Sequence, residues 1–417
     1  SNESRKDFVI NFFLKSDDQA LREAFDKANL TLTNILQKGI SEKDFESVSI
    51  DSIIKENLIS NVSRRQISII DALLSQVIVP NLVIDEFQEF YNINNSIYSD
   101  IQNIWDRYRK ETKMNLIVCG SIYSLMNKIF QNNKEPLFGR ADNIIKLSPF
   151  SLPVLKEIMY DYYPTYTNDD LLALYTFTGG IPKYVELFCD NRILNINGMI
   201  DFMVRDNSPF TDEGKNLLIE EFGKNYATYF SILSAIANGK NTQAEIEAAL
   251  GNKSIGGYLR RLIEDYNIIV RQRPILSKEG TLAIRYEIQD NFISFWFNYF
   301  DKNRSLIEIK NYMALRSIIK ADYPTYSGKM LERYFKQKFA ESFLYKDIGS
   351  WWELKGDAYE IDIVALCLEK DKAVAVEIKR QKKNYKPDLL EKKVEHLKHK
   401  VLPHYAITKM CLSLEDM

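Results

Sequence analysis

This chain of 417 residues has few cysteines, no long apolar runs and almost no excess of charge of either sign. Its four cysteines form no Cys-x-x-Cys pair, which is typical of a reducing compartment rather than of a disulfide-rich secreted protein. No apolar run reaches the roughly 18 residues of a membrane span, and the first residues lack the basic-then-apolar pattern of a signal peptide. We therefore expect a cytoplasmic protein without a membrane partner.

The charge balance gives no global attraction for nucleic acid. The formal net charge is -2, and 45% of the residues are hydrophobic against 27% charged, as in folded soluble proteins. Any contact with DNA must therefore come from a local basic patch. At about 150 residues per domain, the length predicts two to four domains.

Short apolar runs alternate with helix-like stretches as far as residue 147, which predicts βα units around a parallel sheet. A helix is expected near residues 97–110, where apolar residues recur at the helical period. The four predicted strands are FVINFFL, NLVIDEF, MNLIVCGS and NIIKLSPF, beginning at Phe8, Asn81, Met114 and Asn143. The fold class is therefore α/β in the first part of the chain.

Two carboxylates follow the strand LVIDEF. Ligands bind at the C-terminal edge of a parallel sheet, and nucleoside triphosphate hydrolysis needs one carboxylate to hold Mg²⁺ and another to orient the attacking water. Asp85 suits the first role, as a catalytic, cofactor-binding and metal-binding residue, and Glu86 suits the second. The alternative is structural, because any strand can end in acidic residues.

Two further residues are candidates for contact with phosphate. The next predicted strand ends in Cys-Gly-Ser, which places Ser121 beside Asp85 to sense the terminal phosphate. The segment PLFGR supplies Arg140, although a lone arginine more often forms a surface ion pair.

A phosphate loop of the form G-x-x-x-x-G-K-[ST] does not occur in these 417 residues. A triphosphate needs the backbone N–H groups and the lysine of such a loop. Gly-Lys occurs only at Gly214, Gly223, Gly239 and Gly328, and neither Ser nor Thr follows it at any of these places.

The central part of the chain is predicted to be helical. In the segment Gly179-Gly180-Ile181-Pro182, glycine suits the C-terminus of one helix and proline the first turn of the next. Residues 149–224 are therefore interpreted as a helical lid.

Residues 225–300 are interpreted as a winged helix, because three helices precede a strand pair there. Thr242 and Ser254 are predicted N-caps. Lys253, Arg260 and Arg261 could contact DNA phosphates. A mechanical role in passing conformational change is favoured instead, because acidic residues make the third helix less basic.

Residues 301–328 are interpreted as a linker, and a helix follows from Gly328. In the strand EIDIVAL, Asp362 points away from the apolar face, and in VAVEIKR so do Glu377 and Lys379. If these strands form a hairpin the three side chains converge, so that two carboxylates could bind Mg²⁺ and a lysine could activate water. A solvated polar sheet face is the alternative.

The strings VIDEFQEF, CGS, PLFGR and GGIPKYV, followed by a winged helix, resemble the archaeal and bacterial ATPase family related to the STAND and AAA+ NTPases. The resemblance implies ATP and Mg²⁺ as cofactors and places Pro182 near the nucleotide. It also implies a phosphate loop just before a strand like FVINFFL. The loop is thus expected to be truncated, omitted between Lys6 and Asp7, or never encoded.

The D-x14-E-x-K spacing resembles the PD-(D/E)xK nucleases, in which a preceding helix adds a glutamate. Glu332 in KMLERYF matches that position, whereas Ile361 stands where the namesake proline would be. The resemblance implies catalytic roles for Glu332, Asp362, Glu377 and Lys379, with metal bound by Asp362 and Glu377. The basic patch that follows, either a phosphate-binding surface or a solvated helix face, includes Lys382, Lys383, Lys386, Lys392 and Lys393.

The sequence thus predicts a P-loop NTPase-like α/β domain (1–148), a helical lid (149–224), a winged helix (225–300), a linker (301–328) and a nuclease-like α/β domain (329–417). The predicted function is that of a nucleotide-regulated, DNA-processing ATPase with a metal-dependent nuclease-like domain. The alternative is a nucleotide-driven switch or scaffold whose nuclease-like domain only binds DNA or protein. The expected partners are nucleotide and DNA, and an oligomer stays open.

Overall fold

The structure is a computed structural model that describes residues 7–11, 81–112, 115–223, 226–354 and 359–417. The chain divides into two compact units, Ser1–Ile145 and Lys146–Met417. Both the predicted omission between Lys6 and Asp7 and the end of the run FVINFFL lie outside the described residues. Among the described residues, no helix is both long enough and apolar enough to cross a membrane.

The first unit contains a parallel three-stranded sheet with β2 in the centre. Leu82 and Ile84 of β2 are buried and share a core with the apolar face of α2, so the predicted parallel α/β arrangement is confirmed here. The elements are β1 (Asp7–Asn11), β2 (Asn81–Asp85), α1 (Glu89–Ile93), α2 (Ile97–Tyr108), β3 (Asn115–Val118) and α3 (Tyr123–Gln131).

The prediction of a fourth strand from Asn143 is wrong, because residues 141–150 form neither helix nor strand. Ile145 and Leu147 are 83% and 89% exposed. A strand needs a partner for its backbone hydrogen bonds, and no described strand pairs with this segment. An apolar run favours a strand, but it does not show whether a second strand is available to pair with it.

The second unit begins with helices. They are α4 (Leu152–Tyr162), α5 (Asn168–Thr178), α6 (Pro182–Asp190), α7 (Ile196–Met203), α8 (Phe210–Phe222), α9 (Tyr226–Ala237), α10 (Gln243–Ala249) and α11 (Gly256–Glu264). Gly179 ends α5 with φ 59° and Pro182 begins α6, so the predicted helix-turn-helix is confirmed as local structure.

The three helices α9, α10 and α11 precede an antiparallel pair of strands, in the predicted order. Thr242 caps α10, and Glu245 completes a capping box with it. The prediction for Ser254 is wrong, because α11 has Ile255 at its N-cap without a side-chain bond.

The remaining elements are β4 (Ile269–Gln272), β5 (Arg285–Ile288), α12 (Asn291–Trp296), a π-helical turn (Phe297–Asp301), α13 (Arg304–Glu308), α14 (Tyr312–Glu341), β6 (Tyr345–Trp351), β7 (Ile361–Cys367), β8 (Lys372–Ile378), α15 (Pro387–Lys400) and β9 (Ala406–Leu412).

The interpretation of residues 301–328 as a linker is wrong, because they are mostly helical and α14 begins at Tyr312. Leu315, Ile319 and Tyr323 lie four residues apart and are buried in the main core. Such an apolar stripe stabilises a helix through packing. The abundant Tyr and Lys and the internal Pro324 hide this stripe in the sequence.

Arg333 connects α14 to the strand pair. Its guanidinium donates to Glu287 at 2.8 Å, to the side chain of Asn291 at 2.9 Å and to the carbonyl of Ile288 at 2.7 Å. Because the arginine side chain is only 14% exposed, these bonds fix β5 and α12 to α14.

The C-terminal sheet has the order β6-β7-β8-β9, with only β8 and β9 parallel. Ile363 and Val376 share the main core, to which α14 contributes. Val364 and Ala375 lie in a separate cluster with Leu390 of α15. Since successive residues of a strand point to opposite faces, α14 and α15 cover the two faces of this sheet.

Candidate functional site

The first acidic pair lies at the C-terminal end of the central strand of the parallel sheet. Asp85 is the last residue of β2. Glu86 turns the chain with φ 48°, and its N–H donates to Asp85 Oδ1 at 2.9 Å. A positive φ is uncommon for a residue other than glycine, so the backbone here is held in a special geometry beside two carboxylates.

Glu86 is bound to the neighbouring strand's end. Ser121 Oγ donates to Glu86 Oε2 at 2.7 Å. The Gln88 amide donates to the same carboxylate oxygen and to Ser121 Oγ, the latter at 3.3 Å. The structure therefore brings Asp85, Glu86 and Ser121 together at one edge, as the sequence predicted.

Gln88 was missed by the sequence reasoning. Its side chain is completely buried, and its Oε1 has no hydrogen-bond partner within the described residues. The available signal was weak: Gln88 and Glu89 are two polar residues between Phe87 and Phe90, and nothing in this segment shows which of them is buried. Buried polar side chains are nearly always hydrogen-bonded, and the Gln88 amide nitrogen has its bonds to Glu86 and Ser121.

Gly120 provides the space that Gln88 fills. A Cβ atom at position 120 would stand 2.3 Å from Gln88 Oε1 and 2.5 Å from Met126 Sδ. The loop is held from both sides, because Cys119 N–H donates to the Ile84 carbonyl at 2.8 Å, and the Cys119 carbonyl accepts from Phe87 N–H at 2.8 Å. Glycine before Ser121 is therefore a packing requirement of this cluster.

Arg140 is engaged elsewhere in the same unit. Its Nη2 lies 2.8 Å from Asp106 Oδ2, and another N–H donates to the Pro136 carbonyl at 2.7 Å. The hydrogen bond and charge of Arg140 lower the pKa of Asp106. The contact to phosphate predicted for Arg140 stays a prediction, and so does the nucleotide contact of Pro182, which lies in the second compact unit.

The second cluster is centred on the β7–β8 hairpin. Ile363 pairs with Val376 in antiparallel register, so the next pair sets Asp362 opposite Glu377. Ile378 N–H donates to Asp362 Oδ2 at 2.6 Å, and Lys379 Nζ donates to Glu377 Oε1 at 2.7 Å. The hairpin thus brings together the predicted aspartate, glutamate and lysine.

Lys393 joins this cluster from α15. Its Nζ donates to Glu377 Oε2 at 2.9 Å, and the lysine and glutamate side chains are only 9% and 8% exposed. The interpretation of Lys393 as part of an exposed basic patch is therefore wrong, although Lys382, Lys383 and Lys392 are exposed.

A signal for the burial of Lys393 was present in the sequence. Leu390, Val394 and Leu397 are buried on α15. They recur at the spacing of one helix face, and Lys393 falls within that face. A lysine on the apolar stripe of a helix needs a buried partner, because an unpaired ammonium group is costly to bury.

Glu332 of α14 is the third acidic candidate of the C-terminal cluster. Burial, together with the charge of Asp362, raises the pKa of Glu332 from its usual 4.5 to about 7. Burial also raises the pKa of Asp362, against the opposing effect of the Ile378 N–H. For Lys379, burial acts to lower the pKa, but its hydrogen bond to Glu377 and the nearby carboxylate charges raise it overall.

The two clusters differ in how well they fit a divalent cation. Mg²⁺ prefers oxygen ligands, and Asp85 offers a carboxylate with one oxygen beyond its bond to Glu86 N–H. In the C-terminal cluster both oxygens of Glu377 accept from lysines, so that carboxylate does not fit a metal as arranged. Across the described residues, no group of three or more His, Cys, Asp or Glu could hold a metal ion.

Comparisons with known proteins identify two matched regions. Residues 2–188 match a family described as an ATPase domain predominantly from Archaea, and residues 296–396 match archaeal and bacterial proteins of unknown function. An uncharacterized protein of Methanocaldococcus jannaschii is 33% identical over 314 residues, which cover 72% of this chain and 67% of that protein. A solved structure, the Walker-type ATPase of Pyrococcus abyssi, is 16% identical with a TM-score of 0.40, covering 71% of this chain and 85% of its own.

Proposed function

Because this chain belongs to the family whose ATPase domain is found predominantly in Archaea, we propose that it hydrolyses ATP at the C-terminal end of β2. The observation that carries this proposal is the bonded set of Asp85, Glu86 and Ser121. Such carboxylates serve nucleotide hydrolysis when they lie at the C-terminal edge of a parallel sheet.

Each residue of this set has its own proposed role. Asp85 holds Mg²⁺, which supplies charge stabilisation to the phosphates when it is bound. Glu86 orients the attacking water, and Ser121 exchanges its bond to Glu86 for one to the terminal phosphate. Gln88 positions the Glu86 carboxylate, because it is fully buried and bonds to both Glu86 and Ser121.

The test replaces Glu86 in the full-length protein. E86Q keeps the size and hydrogen bonding of the side chain but loses the carboxylate, so we expect ATP hydrolysis to fall about 100-fold or more while ATP still binds. E89Q is the matched control, because Glu89 lies three residues further on and should leave the rate unchanged. Normal steady-state phosphate release by E86Q would contradict the assignment of the water-orienting role.

For the C-terminal part, we propose a PD-(D/E)xK nuclease-like domain at residues 329–417 that grips DNA. Support comes from the convergence of Asp362, Glu377 and Lys379 on one hairpin and from the effect of the Asp362 charge on Glu332. Exposed Lys382, Lys383, Lys386 and Lys392 give a basic surface for a phosphate backbone.

Binding without cleavage is the role that the geometry favours, because Glu377 has both oxygens bonded to lysine. Metal-dependent cleavage is the second candidate, favoured by the same convergence of an aspartate, a glutamate and a lysine. Plasmid and branched DNA incubated with Mg²⁺ or Mn²⁺ separate the two roles. Cleavage that disappears in the double variant D362A/E377A supports a nuclease, whereas binding without cleavage supports the gripping module.

We propose that residues 149–224 form the helical lid and residues 225–300 a winged helix with a mechanical role. Arg260 on α11 forms an exposed ion pair with Glu264 at 2.7 Å, which reduces its availability to DNA phosphates. Arg333 connects β5 to α14 through buried hydrogen bonds. These contacts support transmission of movement between the winged helix and the C-terminal domain rather than sequence reading in a DNA groove.

A further inference from the structure

We propose that the buried ammonium group of Lys393 pairs with the carboxylate of Glu377 and thereby keeps divalent cations out of the C-terminal cluster. This inference rests on the proposed nuclease-like assignment of that domain. It goes further because it names the group that decides whether the cluster takes a metal ion.

The first reason is the geometry of Glu377. Lys379 Nζ lies 2.7 Å from Oε1 and Lys393 Nζ lies 2.9 Å from Oε2. A metal ion bound at Glu377 would have to share both carboxylate oxygens with these ammonium groups. The two lysines therefore compete with a cation for the charge of this carboxylate.

The two lysines differ in their freedom to move. Lys379 is 34% exposed, so its ammonium can turn towards water. Lys393 is 9% exposed, and the glutamate oxygen that it contacts belongs to a side chain 8% exposed. A buried ammonium stays with its partner, because leaving it means burying two unpaired charges. Lys393 is therefore the persistent occupant of the site.

The second reason is the balance of charge. Asp362 and Glu377 bring two carboxylates, and Lys379 and Lys393 bring two ammonium groups to the same cluster. These four groups cancel in charge when all are ionised, and Glu332 adds a negative charge only when it is deprotonated. A divalent ion added to the cluster would lie close to the fixed positive charge of Lys393, and this repulsion is strong where water is excluded.

The third reason is the position of Lys393 on its helix. It lies between Leu390, Val394 and Leu397, which pack in the core under the sheet. The helix therefore fixes the lysine stem against the sheet, and the ammonium group reaches Glu377. The adjacent Lys392 is exposed and has no such contact among the described residues, so it provides a matched control.

The experiment measures metal binding rather than cleavage. K393M keeps the length and apolar stem of the side chain but removes its charge. We expect the full chain carrying K393M to bind one Mn²⁺ about tenfold or more tightly than wild type, as followed by the electron paramagnetic resonance signal of free Mn²⁺ without nucleotide. K392M and K393R should bind Mn²⁺ as wild type does, because the first leaves the buried cation in place and the second replaces it.

A third variant locates the ion. Adding D362A to K393M should return the affinity to the wild-type level, because the new site needs the Asp362 oxygen. Circular dichroism shows whether K393M is folded; if it is not, K393Q carries the same measurement. Equal Mn²⁺ affinity of wild type and the folded neutral variant would overturn the proposal, as would tightening that survives D362A.

Failure of this proposal and failure of the nuclease candidate give different results. Wild-type protein that never cleaves DNA removes the nuclease candidate but leaves the Mn²⁺ comparison intact. Conversely, an unchanged Mn²⁺ affinity in K393M removes the role of Lys393 while the ATPase and DNA-binding proposals keep their own tests.

Discussion

Glu332 shows how one side chain reports on its surroundings. It lies on α14 without a hydrogen bond or ion pair to any described residue, and burial with the charge of Asp362 raises its pKa to about 7. An acid whose pKa is raised on folding favours the folded state only while it is protonated. The free energy of unfolding should therefore fall as the pH rises from about 4.5 to about 7.

The substitution E332Q tests this effect, because glutamine keeps the shape and removes the titration. A pKa unit corresponds to about 1.4 kcal/mol; after allowance for solvent screening, E332Q should exceed wild type in stability by roughly 1–3 kcal/mol at pH 8 and match it near pH 4.5. Urea unfolding followed by tryptophan fluorescence measures the free energy of unfolding of both proteins at each pH. An equal pH slope in the two proteins would show that Glu332 is ionised normally.

Gly120 gives a second prediction about a single residue. In G120A, the new Cβ would stand 2.3 Å from Gln88 Oε1 and 2.5 Å from Met126 Sδ, and Gln88 is completely buried. Crowding of this kind costs about 1–3 kcal/mol, and it displaces the amide that bonds Glu86. We expect a lower thermal midpoint together with a reduced ATP hydrolysis rate.

A control at Gly139 isolates the packing effect. No atom lies within 4 Å of a Cβ built there, although its φ is +68°. G139A should therefore lower the midpoint only through its backbone strain and leave hydrolysis unchanged. A G120A variant with normal turnover would show that Gln88 does not position Glu86.

At the scale of residues, local sequence patterns were sufficient to place a candidate side chain when that side chain lies near the end of a strand. Asp85, Asp362 and Glu377 needed only the strand period and the position of a turn. The spacing of apolar residues on α15 places Lys393 on a buried helix face, but it does not identify Glu377 as the partner of this lysine. In the same way, the local sequence around Gln88 does not identify its distant partner Ser121.

The turn between α5 and α6 carries a prediction about an element. Gly180 has φ 79°, and a Cβ there would stand 2.8 Å from the Phe150 carbonyl oxygen. The Phe150 N–H also donates to the Gly180 carbonyl at 2.8 Å. G180A combines left-handed strain of about 1–2 kcal/mol with a backbone clash, so we expect it to destabilise the helical region by roughly 2–4 kcal/mol.

Gly239 supplies the comparison for this turn. Its φ is +86°, but no atom lies within 4 Å of a built Cβ, so G239A should show the strain alone, about 1–2 kcal/mol. Chemical denaturation of both variants gives the difference. Equal losses would mean that Phe150 moves aside and that the close approach is unimportant.

The elements that the sequence misjudged were those whose partner decides their form. Residues 143–150 read as a strand by apolar content, but a strand without a described neighbour has nowhere to place its hydrogen bonds. Residues 301–328 read as a linker by their Tyr, Lys and Pro content, although Leu315 and Ile319 bury one face of α14. Composition describes a segment in isolation, whereas its burial depends on the helices and strands that pack against it.

At the scale of the whole chain, each compact unit has apolar clusters of its own. One cluster contains Leu82 to Leu137, and the others contain residues from Leu152 onward. We therefore expect residues 146–417 to fold as an independent protein. Near-UV circular dichroism and a cooperative urea transition test this, and an insoluble fragment without a tertiary signal would contradict it.

Two adjacent residues of α14 interact with different parts of the second unit. Arg333 is bonded to β5 and α12, while Glu332 responds to the charge of Asp362. A displacement of the strand pair would thus act on the helix at the position next to the acidic cluster. Because Glu332 and Arg333 are adjacent in α14, we expect a movement of the β4–β5 strand pair to shift Glu332 relative to Asp362 and so to change its pKa.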